Sequence, residues 1–379
     1  MNKTNFTFLP ERIRQARMIR GITQSNLADL LGVSTQAISQ YELGSNNPKP
    51  EILDKMCKIL DLSWNYFITP MPATDITDNP VFFRKNRTTT KKNKEAFEGI
   101  IQWVEEIYYY LQEYINFPPV KLMTKDSEGY SFDDIQKIAK EVRYSWGLGL
   151  GPISNITLLL ENKGFIIAKI PVGIKSVDAC SKLYIRNNIK RPIIFLTEDK
   201  SAVRSRRDIA HELGHHVLHS WVDKKYFTNK ENMTRIEQEA EWFASAFLMP
   251  AETMEREAIF INIERLLLLK QRWGVSAQSL LYHIYDLNLI NESKFNSLKQ
   301  SMYKRKWRIN EPLDDVIKHE EPSMLKAAIE LILDKVATPS TLLEKIPFPR
   351  DFIEKLCGLE EGTLIDKNII TIPNLKLIK

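Results

Sequence analysis

Four of the chain's six histidines fall within nine positions, His211, His215, His216 and His219. The first two frame the pentapeptide His211-Glu212-Leu213-Gly214-His215. On a helix, residues four apart project from one face about a turn apart, so two imidazoles can meet one metal ion with the glutamate beside its open coordination position. These are the donors of a zinc hydrolase, with His211 and His215 as ligands and Glu212 as general base. The same five-residue pattern also arises by chance, so its surroundings decide. Upstream, residues 191–197 read as a buried strand and residues 201–207 as a polar helix start. Ile209, Leu213, Val217 and Leu218 supply an apolar stripe. A strand feeding an amphipathic helix is the order such a site needs.

Catalytic zinc keeps three protein ligands, so a third must come from elsewhere. His219 lies roughly 12 Å from His211 along the helix axis at about 1.5 Å per residue, too far to share one tetrahedral ion. Residues 235–250 read as a second helix stopped by Pro250. Glu237 and Glu241 share one face of it with Ala240 and Ala244, while Glu239 points elsewhere. Small alanines allow close approach of the two helices, which makes Glu237 the expected third ligand and Glu241 an expected orienting partner for a ligand histidine.

The run Arg207-Asp-Ile-Ala-His-Glu-Leu-Gly-His-His-Val-Leu-His219, with Glu237-x-x-Ala240-Glu241-x-Phe243-Ala244 and Leu248-Met-Pro250, resembles the ImmA/IrrE metallopeptidases. These are gluzincin-like enzymes with a His-His-Glu zinc site. Trp146-Gly-Leu-Gly-Leu-Gly-Pro-Ile-Ser154, the Leu-Leu-Glu-Asn-Lys-Gly stretch ending at Gly164 and Asp178-Ala-Cys-Ser181 are similar to that family's leader segment. The likeness covers residues 130–255, and Glu241 stands where the family more often has Asn or Asp. It implies a metallo-endopeptidase that uses Zn2+ and acts on repressors of the Xre type. Helices at residues 132–146 and 153–162 and strands at 165–170, 179–186 and 193–197 complete the expected catalytic core, a small mixed sheet backed by the two metal helices. The strand at residues 181–185 is the expected edge for an extended substrate backbone, and Tyr184 a candidate for stabilising the oxyanion.

The amino-terminal end carries an independent signal. Residues 12–20 form a basic helix, Thr23 caps a short helix at 24–31, Gly32-Val33-Ser34 make a tight turn, and a helix at 35–43 ends at Gly44. Ile13, Ala16, Leu27, Ala28, Leu31, Val33, Ile38, Ile52 and Leu60 have the spacing to close a five-helix core. Residues 7–70 resemble the Xre, lambda-repressor-like helix-turn-helix domains, whose second helix of the pair enters the major groove of double-stranded DNA. The expected base readers are Thr35, Gln36, Ser39 and Gln40, because glutamine pairs with adenine in bidentate fashion and threonine or serine contacts several edges. Gln24, Asn46 and Lys49, with Asn47, are expected at phosphates. The resemblance further implies a structural Arg17–Glu42 ion pair.

Length and composition fit both signals. The 379 residues exceed a single typical core. Four parts are expected, at residues 1–70, 71–120, 121–255 and 256–379: the DNA-binding domain, a basic linker with an amphipathic helix, the metallopeptidase domain and a helical extension. The fold class is thus multidomain and mainly α with an α+β catalytic core. A net charge of +5 is compatible with a DNA operator without demanding one. Cys57, Cys180 and Cys357 are widely separated, which argues against a disulfide framework or a clustered cysteine site and fits a cytoplasmic protein. No apolar run approaches membrane-span length. Arg84, Lys85, Arg87, Lys91, Lys92 and Lys94 read as a solvated linker, with added phosphate contact as the alternative. Phe97, Ile100, Ile101, Val104, Ile107, Tyr108, Leu111 and Tyr114 form a helical stripe that reads as a packing face and offers a homodimer seam. Joined, these parts make a DNA-bound regulator that cleaves a repressor in trans or its own linker to switch on mobile-element, stress or defence genes. The competing function is a non-proteolytic repressor or antitoxin-like regulator whose zinc domain is a sensor or partner-binding module.

Overall fold

The computed structural model describes residues 8–72, 82–83, 91–170, 179–186, 189–197, 200–223, 226, 229–308 and 310–366. Five helices open the chain: α1 (Pro10–Ile19), α2 (Gln24–Leu31), α3 (Thr35–Leu43), α4 (Pro50–Leu60) and α5 (Trp64–Ile68). The hydroxyls of Thr23, Ser34 and Ser63 accept backbone N–H groups of α2, α3 and α5, satisfying donors that a helix start leaves open. Gly44 ends α3 at φ 72°, and a Cβ there would come within 2.9 Å of the Pro10 ring. Ile13, Ala16, Leu27, Ala28, Leu31, Ile38 and Leu60 are buried as their spacing predicts. Val33 and Ile52 are only partly buried, and Leu53 and Met56 fill the inner face of α4 instead.

A four-stranded sheet follows, with β1 (Phe82–Phe83), β2 (Ile166–Ile170), β3 (Ala179–Arg186) and β4 (Ile189–Thr197) in the order β1-β3-β4-β2. β3 and β4 form an antiparallel pair with Ser181 opposite Ile194, while β2 runs parallel to β4. Alternation of side chains divides the sheet's neighbours cleanly. Ile167, Ala179, Ile194 and Leu196 join one buried cluster; Ile166, Ala168, Ile170, Cys180, Tyr184, Ile193 and Phe195 join another.

The first cluster is shared with α7 (Phe132–Ser145), α8 (Ile156–Asn162), α9 (Ala202–Leu218) and α10 (Lys230–Leu248). Ser131 and Asp134 close a reciprocal capping box at the start of α7. Three shorter elements complete this side: α11 (Ala251–Glu257), α12 (Ile263–Trp273) and α13 (Ala277–Asp286), followed by α14 (Glu292–Lys304). Gly214 of α9 lies against α10, where a Cβ would stand 3.1 Å from the Phe243 ring and 3.3 Å from the Ala240 Cα. The absence of a side chain at Gly214 sets how closely the two helices approach.

Behind the sheet, α6 (Lys91–Leu111) packs against α1, and α15 (Met324–Lys335) and α17 (Arg350–Cys357) pack against β2, with α16 (Pro339–Lys345) between them in sequence. Trp103 of α6 stacks on Phe348 at 4.4 Å between ring centroids and meets Phe352 edge-on. Gln15 of α1 is a buried hub. Its Oε1 accepts from Tyr66, Arg12 and Trp103, and its amide donates to Gln102 and Glu106. Arg12, fully buried, also pairs with Glu106 at 2.7 Å. Two expectations change here. The stripe from Phe97 to Leu111 is buried inside this chain and is not available as a dimer seam; only Tyr114, beyond the helix, is exposed. Among the described residues, 256–366 do not form one unit: α12, α13 and α14 share the core of α9 and α10, while α15, α16 and α17 share the core of α6 and the amino-terminal helices. Among the described residues, no helix is long and apolar enough to cross a membrane.

Candidate metal centre

α9 carries His211, Glu212 and His215 on its buried length, and α10 brings Glu237 and Glu241 across from it. The Nε2 atoms of His211 and His215 stand 3.0 Å apart. Glu237 lies 3.5 Å from His211 Nε2 and 3.6 Å from His215 Nε2. Among the described residues, this trio is the group of possible metal donors whose ligand atoms all fall within 4.8 Å of one another. Bonds of ~2.0–2.1 Å at a tetrahedral angle separate ligand atoms by roughly 3.3 Å, so the donor set fits zinc in both type and spacing.

Glu212 projects from the same helix towards the sheet. Its Oε2 accepts the Ser181 hydroxyl at 2.6 Å, while Oε1 is buried with no protein hydrogen-bond partner. Burial pushes this carboxyl up to about 7, against the pull of His211 and Ser181. At His211 burial pushes the imidazole down, but the carboxylates of Glu237, Glu241 and Glu212 outweigh it and leave its pKa raised. His216 points into the core, edge-on to Phe165, and desolvation lowers it to about 3.

Glu241 stands 3.6 Å from His211 Nδ1, beyond normal hydrogen-bond length, and is ion-paired with Arg207. Behind His215 lies a contact the spacing did not reveal. His215 Nδ1 and His219 Nδ1 are 3.2 Å apart, and His219 Nε2 meets Glu239 Oε2 at 2.9 Å. His219 is not a donor to the trio, as its distance along the helix predicts; it stands where α9 ends and meets Glu239 of α10. The relative rotation of the two helices, which a single sequence does not display, makes this contact.

Tyr184 does not line the site. Ser181 faces Glu212, so strand alternation turns Tyr184 to the other side, where its ring meets Tyr108 edge-on at 5.2 Å and its hydroxyl accepts from Gln112. The β3 edge is also not open where substrate was expected: β1, from the linker, pairs antiparallel with it, Phe82 opposite Ser181 and Phe83 opposite Cys180. Arg84, Lys85, Arg87 and Asp178, singled out from the sequence, lie outside the described residues.

On the amino-terminal domain, Thr35 and Gln36 are exposed and Ser39 and Gln40 half-exposed along α3, with Asn46 and Lys49 exposed after it. Arg17 and Glu42 form a two-pronged ion pair at 2.5 and 3.0 Å, joining α1 to α3. Gln24 is not simply directed to solvent, because its amide nitrogen donates to Glu42 at 2.8 Å.

Comparison with known proteins meets these two sites separately. Residues 168–285 match the M78 peptidase family model, described as the IrrE N-terminal-like domain, and residues 13–67 match the helix-turn-helix model. The chain joins an Xre-type helix-turn-helix domain to an IrrE-like peptidase domain. The peptidase match starts within β2 and runs into α13, so it begins later and ends later than the likeness read from the motifs. The helix-turn-helix region is 38% identical over 58 residues to the uncharacterized HTH-type transcriptional regulator YqaE of Bacillus subtilis (strain 168), covering 15% of this chain and 50% of that one. It is 33% identical over 58 residues to the SPbeta prophage-derived uncharacterized HTH-type transcriptional regulator YonR of the same organism, covering 15% and 54%. The chain spans about half the length of the curated relatives it matches. No solved structure matches significantly.

Proposed function

We propose that this chain is a cytoplasmic, DNA-binding transcriptional regulator with a zinc metallo-endopeptidase activity. It cleaves a repressor-type protein, in trans or within its own linker, to release mobile-element, stress or defence genes. The observation that carries this reading is the convergence of His211, His215 and Glu237 beside a buried Glu212 with one unpartnered oxygen.

His211, His215 and Glu237 would hold the metal. When bound, zinc supplies Lewis acidity that polarises a peptide carbonyl and activates water. Glu212 takes the proton from the attacking water on Oε1 and returns it to the leaving amine, while the Ser181 hydroxyl fixes Oε2 and so the plane of the carboxylate. A carboxyl pushed up to about 7 suits both the uptake and the return of a proton near neutral pH. Glu241, itself anchored by Arg207, biases the His211 ring from behind.

At the other end, Thr35, Gln36, Ser39 and Gln40 read base edges in the major groove, and Asn46 and Lys49 contact phosphate. Gln24, with one amide hydrogen on Glu42, has the second for a phosphate. Paired half-sites call for a homodimer, whose seam lies elsewhere than on the buried stripe of α6. Support for cleavage in the chain's own linker comes from β1, which lies along β3 at the residue that holds Glu212.

The test is to map new protein termini in the native host, comparing wild type with Glu212→Gln before and after DNA damage and phage infection. The expected result is a terminus in a repressor-like protein, or in residues 70–95 of this chain, that appears with wild type alone. Identical termini in both strains under every condition would refute the peptidase reading.

A further inference from the structure

The two ligand histidines are supported differently. His211 Nδ1 faces Glu241 at 3.6 Å, with no hydrogen bond formed. His215 Nδ1 is in hydrogen-bond range of a second imidazole, which in turn meets a carboxylate. Glu239 is 2 % exposed, His219 and His215 each 1 %, so water does not complete these contacts.

The protons along this chain can be placed by elimination. Glu239 Oε1 accepts the Tyr130 backbone N–H at 3.2 Å and faces the Arg235 guanidinium at 3.7 Å, so this carboxylate is placed among donors and meets His219 as an acceptor. His219 Nε2 must therefore carry a proton and donate it to Glu239. A neutral His219 then has a bare Nδ1, an acceptor, and the facing His215 Nδ1 must be the donor. That leaves the lone pair of His215 on Nε2, the atom 3.0 Å from His211 Nε2 and 3.6 Å from Glu237. Reversing any one link leaves two N–H groups or two lone pairs opposed in a dry interior, where an unmade hydrogen bond is costly.

We propose that Glu239 and His219 are positioning residues that fix the His215 tautomer and ring for metal, a three-member Glu–His–His relay in which neither touches the ion. This rests on the zinc reading of the trio. It assigns work to His219, the last histidine of the cluster, which ligation does not use. It also explains why a glutamate off the ligand face of α10 is among the most buried carboxylates in the chain.

The experiment uses the full chain and Zn2+ or Co2+ alone as probe, with affinity measured by chelator competition. Wild type is expected to bind one equivalent. His219→Phe, which keeps a ring but removes the acceptor, and Glu239→Gln should each weaken binding by about 10- to 100-fold. His219→Gln, which restores an acceptor oxygen, should recover part of the loss. Nitrogen-15 NMR of the His215 ring in the metal-free chain should show the proton on Nδ1 in wild type and a mixture of tautomers in His219→Phe. Thermal unfolding of the apo variants separates this from simple loss of fold, because a purely structural role would not distinguish Phe from Gln through the ring nitrogen signal. Equal metal affinity in all variants overturns the relay and leaves the zinc reading intact. Failure of wild type to bind either metal overturns the zinc reading itself.

Discussion

The two faces of the sheet are made by the same strands and do opposite things. On one face Ser181 and its alternating neighbours meet α9, and the buried groups are ionisable: Glu212, His211, His215, His219 and Glu239. On the other, Cys180, Tyr184 and Phe195 meet α6, which is locked to α1 by Arg12, Gln15, Tyr66, Trp103 and Glu106. The first face carries the candidate metal centre. The second packs the amino-terminal helices, through α6, against the sheet that walls the candidate metal site.

The largest effect should come from the chemical face. Glu212→Gln removes the base and leaves the three metal donors in place, so turnover on an identified substrate should fall by at least about 10²–10⁴-fold, with zinc content unchanged by elemental analysis. Turnover at the wild-type rate would break the assignment of this face as catalytic.

On the opposite face the corresponding change is Trp103→Ala. It removes the stack on Phe348 and the indole N–H donated to Gln15, and a buried tryptophan truncated to alanine costs about 3–5 kcal/mol. Calorimetry should show the amino-terminal helices melting ahead of the rest, with metal affinity little altered. A single transition at the wild-type temperature would mean that α6 does not couple the two parts.

Acid should separate the faces again. His283, on α13 beside the chemical face, donates from Nε2 to the Met249 carbonyl at 2.8 Å, and burial lowers its pKa from 6.5 to about 4. Between those values the unfolded chain takes up a proton that the folded chain refuses, so stability is full above pH 6.5 and falls as the pH drops towards 4. The loss should reach about 2 kcal/mol by pH 5. Urea titrations at several pH values should show a shallower decline in His283→Gln; an identical slope would remove His283 as the cause.

Local chemistry made much of this legible. Thr23 is a capping residue whose job is done within three positions, and the four-residue spacings of His211 to His215 and of Glu237 to Glu241 are helix arithmetic. What escaped depends on non-local geometry. Pro250 was expected only to end a helix, yet it also caps α11, since proline's fixed φ suits a helix start as well as a stop. α14 and α16 are short pieces capped by Asn291 and Thr338, with few turns for an apolar stripe to mark them. β1 is two residues long and has no alternation to detect. The stripe of α6 was readable as a packing face, but not that this same chain covers it, nor that Trp103 beside it meets the distant Phe348 and Phe352.

Tyr184 and Ser181 sharpen the comparison most finely, because they lie three residues apart on one strand and an odd separation puts them on opposite faces. Ser181→Ala removes the hydroxyl that holds Glu212 Oε2 and leaves a buried carboxylate oxygen without its partner. A hydrogen bond to a charged group contributes about 1.5–3 kcal/mol, and part of that is recovered if Oε2 finds the water that Oε1 uses. The expected loss in kcat is therefore about tenfold, with the substrate KM nearly unchanged. Tyr184→Phe deletes a hydroxyl 3.5 Å from Gln112 on the far side and should leave kcat within a factor of two, since no atom of that ring reaches the metal face. A kcat that drops with Tyr184→Phe and not with Ser181→Ala would require the strand to be shifted by one residue, and with it the whole division of the sheet into a chemical and a coupling face.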